Sequence, residues 1–293
     1  MDGNHQQQKR TWLAYSTLAS GVVCIGFSAI FVKLAGVPGA ASAFYRVFVA
    51  SLVLLPWWLI ARPSKPARKD LMLILAGGVF FALDLVLWNS GVLLTSAATA
   101  TLLANNAPIW VGLGTMLLFH ERLSFSFWLG LGIALVGMAL IVGGEAWRHL
   151  RLNAGDLMAI GASVLYAAYL LITQRARSRV DTLTFNALSV SSCVILLFVL
   201  SVLLGVPLTG YSPKTWLALI GLGLVSQLGG WLAINYALGH LRAAPVSVVL
   251  LGQVVVTALL SMPLLGEYLS IHQIVGGVLV LGGIYLVNRR GQN

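Results

Sequence analysis

Charged residues are scarce in this sequence. Asp, Glu, Lys and Arg together make up 9% of the 293 residues, whereas a water-soluble domain carries about a quarter. Apolar residue types reach 59%, and they are arranged in long runs with short polar breaks. This composition excludes a sizeable soluble domain and predicts a chain that lies in a lipid bilayer.

Acidic residues are the scarcest charged type, and the formal net charge is +10. An excess of positive charge is also typical of nucleic-acid-binding proteins, which cluster Lys and Arg on one solvated face. Here the basic residues are instead distributed between the apolar runs. That distribution is typical of membrane-protein loops and excludes a nucleic-acid partner.

Features of cofactor and metal sites are missing as well. The two cysteines, Cys24 and Cys193, lie inside apolar runs and have neither metal-ligand spacing nor a disulfide pattern. No Gly-Lys-Ser or Gly-Lys-Thr phosphate loop is present, so no ATP site is predicted. We therefore expect no catalytic residues, no metal and no cofactor.

An intramembrane transferase remains the alternative from another functional class. Such enzymes use paired acids for a metal, or a His/Asp pair within the membrane. The five histidines lie in or beside loops, and Asp84 is the one carboxylate well inside an apolar run. The sequence therefore favours a transporter.

Hydropathy, with Gly, Pro and charge as boundaries, predicts ten membrane-spanning helices in an all-α polytopic protein. The first five cover Leu13–Leu34, Ala40–Ala61, Leu71–Val92, Ala97–Phe119 and Phe125–Val142. The second five cover Asp156–Thr173, Thr184–Leu204, Thr215–Tyr236, Pro245–Leu265 and His272–Val287. The first run shows no small-residue cleavage pattern, which predicts a retained helix and not a signal peptide.

The basic residues also predict the orientation of the chain. Lys and Arg near span ends stay on the cytoplasmic side of a membrane. With a cytoplasmic N-terminus, nearly all of them fall on that side, including Arg175, Arg177 and Arg179. The opposite side then holds only Arg148, Arg151 and Lys214. Both termini are therefore expected to be cytoplasmic.

The sequence contains an internal repeat. A shift of 146 positions superimposes Glu121, Leu123 and Ser124 on Glu267, Leu269 and Ser270, and it also superimposes Gly130 on Gly276 and Gly137 on Gly283. Duplication explains this pattern better than chance. We predict repeats over 11–145 and 153–288, with cytoplasmic tails at 1–10 and 289–293. Because each repeat has five spans, an odd number, the second is inverted, an arrangement typical of secondary transporters.

Three short motifs resemble a known family. Ala-Phe-Tyr-Arg (Ala43–Arg46), Phe-His-Glu-Arg-Leu-Ser (Phe119–Ser124) and Leu-Gly-Glu-Tyr-Leu-Ser (Leu265–Ser270) look like those of the EamA family in the drug/metabolite transporter superfamily. The size and layout are similar to YddG-type amino-acid exporters. This resemblance implies export of small organic metabolites across the bacterial inner membrane by alternating access through a central cavity.

The expected substrates under this resemblance are amino acids, either aromatic or of broad range, with protons as a candidate coupling ion. The alternative is a sugar-phosphate or nucleotide-sugar exchanger, as in relatives of this superfamily. That function would require Lys33 and Arg46 to reach the cavity. The sequence leaves monomer and homodimer open.

Asp84 and Arg46 lie inside predicted spans, where a charge costs about 2.5–3.5 kcal/mol, and Lys33 lies near the end of one. Asp84 is predicted either to carry a proton or bind a substrate ammonium, or to be a structural counter-ion of Arg46 or Lys33. An ion pair is the favoured role of Arg46. Lys33 is expected to extend its amine to water from the end of the first span.

Amide and aromatic side chains form the remaining cavity candidates. Amides inside a span should face inward, where they bind either a polar substrate or a neighbouring helix. Aromatic rings line a mostly apolar cavity or simply pack between helices. The candidates are Asn105, Asn106 and Gln253 beside Trp110 and Trp88, together with Tyr166, Tyr169, Gln227 and Trp231.

Residues at the repeated loops are predicted to have structural roles. Glu121 and Glu267 are expected to form helix-end hydrogen bonds, and the Ser three residues after each is expected to cap the next helix. Glycines in the fifth and tenth spans are expected to allow close helix packing or a dimer contact. These glycines are Gly130, Gly132, Gly137, Gly276, Gly282 and Gly283.

Overall fold

A computed structural model describes residues 2–95, 97–143, 153–266 and 268–289. This part of the chain is helical and contains no β-strand. Nine helical stretches within it are long and apolar enough to cross a membrane. Helices suit this environment because each backbone N–H and C=O finds its partner within the segment. The prediction of an all-α polytopic membrane protein is confirmed.

The helices follow the predicted spans closely. In the first half they are α1 (Asp2–Gly26), α2 (Ser28–Ala35), α3 (Gly39–Ala61), α4 (Arg68–Leu94), α5 (Ala97–Ala104), α6 (Ala107–Leu118) and α7 (Phe125–Val142). In the second half they are α8 (Ala154–Arg177), α9 (Thr182–Leu203), α10 (Pro213–Gly221), α11 (Leu232–Leu238), α12 (Ala243–Leu250), α13 (Gly252–Leu265) and α14 (Ile271–Arg289). A π-helical segment, Leu222–Trp231, connects α10 to α11.

Four of the predicted spans are interrupted. The first is divided into α1 and α2, the fourth into α5 and α6, and the ninth into α12 and α13. In the eighth span the π-helical segment separates α10 from α11. Hydropathy averages over whole windows, so it finds such spans without detecting their breaks.

Local sequence explains where several helices begin and end. Ser124 accepts a hydrogen bond from the N–H of Phe127 at the start of α7, and Ser270 accepts one from Gln273 at the start of α14. The two Ser caps predicted at the repeated loops are therefore confirmed. Gly36 ends α2 in the left-handed conformation (φ 60°), which a glycine adopts without steric cost.

Only one of the two helix-end glutamates, Glu121, lies within the residues that the structure describes. Glu121 follows α6, and its backbone N–H lies 3.5 Å from Thr115 O. Glu267 lies outside the described residues. The hydrogen-bonding role of both carboxylates stays a prediction.

The chain divides into two compact units, each of which draws on both halves of the sequence. Unit 1 comprises Met1–Ala82 and Ile172–Arg242. Unit 2 comprises Leu83–Leu171 and Ala243–Asn293. The division therefore falls within α4 and within α8. The repeat boundaries at 11–145 and 153–288 stay a prediction.

Helices α7 and α14, both in unit 2, cross in backbone contact at four glycines. A Cβ atom added at Gly137 would lie 2.5 Å from Gly276 O, and one at Gly276 would lie 2.5 Å from Gly137 O. In the other pair, a Cβ atom added at Gly130 would lie 2.7 Å from Gly283 O, and one added at Gly283 would lie 2.4 Å from Gly130 O. We call this contact the glycine crossing.

The glycine crossing has the symmetry of an inverted duplication. Gly130 meets Gly283, and its repeat-equivalent Gly276 meets Gly137, so exchanging the two repeats reproduces the contact. The helices run antiparallel, as copies in opposite orientations must. Gly132 and Gly282 take no part, because a Cβ atom at either would meet nothing within 4 Å. The expectation of close packing was therefore wrong for these two.

Unit 1 also contains close helix contacts, but they are made by polar side chains as well as glycine. A Cβ atom at Gly78 in α4 would lie 2.1 Å from Ser189 O in α9. Ser192 on α9 donates to Leu75 O at 3.1 Å. Between α3 and α9, Trp58 Nε1 donates to Thr184 Oγ1 at 3.1 Å.

Candidate functional site

The fourth and ninth spans, both in unit 2, break at equivalent positions of the repeat. Helix α5 ends at Ala104, and α12 ends at Leu250, which is 146 positions later. At both breaks a tighter turn replaces helical hydrogen bonding. The N–H of Asn106 lies 3.3 Å from Leu103 O, and that of Leu251 lies 3.1 Å from Val248 O. Each is an i→i+3 bond.

The residues around the first break explain why the helix is interrupted there. Pro108 has no N–H, so Ala104 O loses the donor that an uninterrupted helix would supply. The side chain of Asn106 donates to Leu102 O at 3.2 Å, in place of a backbone donor. The side chain of Asn105 donates to Thr101 O at 2.8 Å. Side-chain amides thus satisfy part of the backbone that the break exposes.

A hydrogen bond joins the two breaks. Gln253 lies in the first turn of α13, directly after the second break, and its Nε2 donates to Asn105 Oδ1 at 3.4 Å. Both residues are half-buried. The sequence predicted both as candidates in corresponding parts of the two repeats, and the structure brings them into contact. We call Asn105, Asn106 and Gln253 the amide junction.

Aromatic and hydroxyl groups of unit 2 extend this polar region along α6 and α8. Trp110 lies four residues after Asn106, on the same face of the chain as it enters α6. Its indole Nε1 donates to Ser163 Oγ on α8 at 2.8 Å. Tyr166 lies three residues after Ser163 and is half-buried, whereas Tyr169 is buried. Ser163 was missed, because a lone serine in an apolar run has no sequence signature.

Asp84 and Trp88 lie one turn apart on α4 and are both half-buried. The end of α4 packs closely on α8, since a Cβ atom at Gly91 would lie 3.0 Å from Gly155 O. This contact positions that part of α4 within unit 2. The carboxylate of Asp84 lies near the middle of α4, away from both helix ends, as predicted.

In unit 1, the π-helical segment positions two further candidates. Gln227 is buried, and its Oε1 accepts a hydrogen bond from Arg46 Nε at 2.8 Å. Trp231 is buried too, and its ring meets that of Phe81 edge-on with centroids 4.9 Å apart. π-Helical turns are frequent at functional sites, since they shift side chains out of helical register. The sequence favoured an ion pair for Arg46, and its hydrogen bond to the Gln227 amide was not predicted.

Lys33, the third charged candidate, lies in the last turn of α2 and is exposed. This position is compatible with an amine that reaches the membrane surface, the favoured prediction. Its role remains a prediction, as does that of Arg46.

The sequence places Arg177 in a cytoplasmic loop, but the structure buries it at the end of α8, with 8% of its surface exposed. The predicted helix ended at Thr173, four residues too early. The guanidinium Nε donates to Asn235 O at 2.9 Å, and its other nitrogens donate to Val180 O and Thr182 Oγ1. Arg177 therefore ties together the ends of three helices.

An amide pair lies beside this arginine in unit 1. Asn235 Nδ2 donates to Asn186 Oδ1 at 2.9 Å, and both side chains are buried. In the part of the chain that the structure describes, no group of three or more His, Cys, Asp or Glu side chains could hold a metal ion.

Comparisons with known proteins agree with this architecture. The model of the EamA-like transporter family matches residues 12–143 and again residues 153–289. The transporter YdfC of Bacillus subtilis is 26% identical over 92% of this chain and 88% of its own length. A probable terminal-alkyne amino-acid exporter of Streptantibioticus cattleyicolor is 28% identical over 90% of this chain and 89% of its own.

A solved crystal structure superposes with a TM-score of 0.81 and covers 98% of this chain and 99% of the solved one. Its sequence is 19% identical, so it shows the fold alone.

Proposed function

Since the chain belongs to the EamA-like transporter family, we propose that it is a secondary exporter of small organic metabolites, with amino acids as its substrates. The family makes the chain a multi-pass membrane transporter and not an enzyme. The substrate class, the direction of transport and the alternating-access mechanism are the proposal. Its location in a bacterial inner membrane with both termini cytoplasmic is part of that proposal.

The amide junction is the observation that carries this function. Secondary transporters with inverted repeats bind substrate where helices are discontinuous, because such breaks free backbone groups inside the bilayer. Here two helices break at repeat-equivalent positions, and the hydrogen bond from Gln253 to Asn105 links the breaks. An energetically modest bond of this kind can be exchanged for bonds to a substrate.

The chemistry of the junction suits an amino acid. Side-chain amides both donate and accept, so they can bind a carboxylate and an ammonium group without a fixed charge of their own. Trp110, held by its bond to Ser163, presents an aromatic ring one turn from Asn106. The exporter of Streptantibioticus cattleyicolor, whose name specifies an amino acid, supports the same class.

Uptake into liposomes tests the proposal. Purified protein would be reconstituted and offered a panel of radiolabelled amino acids, sugars and nucleotides. We expect at least one amino acid, aromatic or of broad class, to be transported and to be competed by others. Transport of a sugar phosphate or nucleotide sugar, with none of any amino acid, would contradict the substrate class.

Asp84 is the proposed proton carrier. A carboxylate within a membrane span is costly and marks proton relays in transporters. We expect a pH gradient to accelerate uptake by the native protein and not by Asp84→Asn, which retains exchange of labelled for unlabelled substrate. Gradient-independent uptake by the native protein, together with full activity of Asp84→Asn, would eliminate this role.

A further inference from the structure

The short connection between α3 and α4 in unit 1 concentrates positive charge. Arg62, Lys65, Arg68 and Lys69 fall within eight residues, and all four are exposed. The other short connections predicted to be cytoplasmic hold fewer exposed cations, for example Arg122 between α6 and α7. Retention of positive charge on the cytoplasmic side explains some Lys or Arg at any such connection, but not this density.

The backbone of this connection is restricted. Pro63 and Pro66 each fix one φ angle near −65°. Arg62 closes α3 in the left-handed conformation (φ 46°), and its N–H donates to Trp58 O at 3.1 Å. Arg62 and Lys65 are therefore presented from a short, constrained segment, and Arg68 and Lys69 from the first turn of α4. This restriction reduces the entropy lost when a ligand orders the cations.

A fifth cation joins this group from another connection. Arg179 follows α8, and its guanidinium lies 3.5 Å from Asp70 Oδ1 in the first turn of α4. An exposed ion pair of this kind contributes little to stability, but it shows that Arg179 lies beside the first turn of α4. Asp70 neutralises only one of the five positive charges. We call Arg62, Lys65, Arg68, Lys69 and Arg179 the basic patch.

Apolar side chains are exposed beside the basic patch. In the last turns of α3, Trp57 is 49% exposed, Leu59 62% and Ile60 80%. Indole rings at span ends favour the boundary between lipid headgroups and acyl chains, and Leu59 and Ile60 expose aliphatic surface at the same end of α3. The end of α3 therefore combines cations with surface suited to lipid.

We propose that the basic patch binds the phosphate headgroup of anionic phospholipids. Clusters of Lys and Arg adjoining a span attract anionic lipid, and guanidinium groups match phosphate geometry with paired N–H donors. The lipid is preferred over free phosphate because Trp57 and Ile60 supply contacts that only an acyl chain can use. This inference requires membrane insertion alone and does not depend on which solute is transported.

Binding of fluorescent phosphatidylglycerol to the full-length protein in neutral detergent tests the proposal. The variant Lys65→Gln/Arg68→Gln/Lys69→Gln removes three charges from the basic patch. The matched control Arg122→Gln/Lys214→Gln/Arg289→Gln removes three exposed charges elsewhere. Each cation near a headgroup contributes about a fivefold gain in affinity. We expect the patch variant to bind at least tenfold more weakly, and the control to bind within twofold of the native protein.

Competition distinguishes the sources of phosphate. We expect unlabelled phosphatidylglycerol to displace the probe, and phosphatidylcholine or inorganic phosphate at the same concentration to leave it bound. The charge-conserving variant Lys65→Arg/Lys69→Arg should retain native affinity, which separates lost charge from lost folding. Equal weakening of the patch and control variants, or displacement by inorganic phosphate, would overturn the proposal, as would an unaffected patch variant.

Discussion

The glycine crossing and the amide junction are two products of the same duplication, and both lie in unit 2. At the crossing, equivalent glycines of α7 and α14 bring backbone against backbone, with added Cβ atoms falling 2.4 to 2.7 Å from a carbonyl oxygen. At the junction, equivalent helices are interrupted, and a 3.4 Å side-chain hydrogen bond spans the gap. Helices α7 and α14 pack at these glycines without polar side chains, whereas polar side chains join the breaks that follow α5 and α12.

Under the proposed function, this difference separates a fixed element from an exchangeable one. Backbone contact at the crossing leaves no room for adjustment, since packed interiors respond poorly to added volume. The junction depends on amide hydrogen bonds, which in membranes are worth only about 0.6 kcal/mol on average. A transporter needs both, because its repeats must stay assembled while its binding groups change partners.

Added volume at the crossing should produce the largest effect. Gly137→Leu would place side-chain atoms in the space that Gly276 O occupies, and overpacking of this severity destabilises by about 3 kcal/mol or more. We expect a lower melting temperature in detergent and loss of monodisperse protein in size-exclusion chromatography. The control Gly132→Leu, on the same helix with nothing within 4 Å of its Cβ position, should melt like the native protein. Similar melting of both variants would contradict the crossing.

At the junction, a substitution should impair transport more than folding. Asn105→Leu removes the acceptor for Gln253 and the amide that bonds to Thr101 O. We expect amino-acid uptake to fall at least tenfold, equivalent to about 1.4 kcal/mol, with a modest change in melting temperature. The control Asn288→Leu removes an amide that bonds within α14, to Ile284 O. Equal uptake by Asn105→Leu and the native protein would exclude the junction from the transport path.

Loss of the equivalent caps should have a smaller, symmetric effect. Ser124→Ala and Ser270→Ala each remove a hydrogen-bond acceptor at the start of a crossing helix, which costs about 1 kcal/mol. We expect both variants to lower the melting temperature similarly and the double variant to lower it by the sum, because the sites are independent. A large effect of one cap with none of the other would argue against equivalent roles.

The smallest expected effect is the coupling within the junction itself. A double-mutant cycle of Asn105→Ala and Gln253→Ala, read from melting temperatures, should give about 0.6 kcal/mol, the average for hydrogen bonds inside a membrane. A coupling energy near zero would show that the side chains at the two breaks are not energetically coupled. Coupling of several kcal/mol would make the junction a structural brace, unsuited to exchanging partners.

The sequence supported the spans and the repeat, because hydropathy and glycine spacing are set by lipid and close packing along the whole chain. It also located Asn105 and Gln253 in corresponding parts of the two repeats. It missed the π-helical segment that carries Gln227 and the burial of Arg177. The polar partners of Arg177 and Gln227 come in part from other helices, Asn235 for the first and Arg46 for the second. A single stretch of sequence does not indicate such contacts. Gly132 and Gly282 show the same limit, since spacing alone cannot tell which glycines face the crossing.

Protection of the amide junction by substrate tests directly whether substrate binds there. Asn106→Cys, in a background of Cys24→Ser and Cys193→Ser, would be labelled with a maleimide in the presence and absence of a transported amino acid. The control Tyr268→Cys replaces a side chain that is 93% exposed in a connection between helices. We expect saturating substrate to slow labelling several-fold at position 106 and to leave it unchanged at position 268. Equal labelling rates at position 106 with and without substrate would contradict substrate binding at the junction.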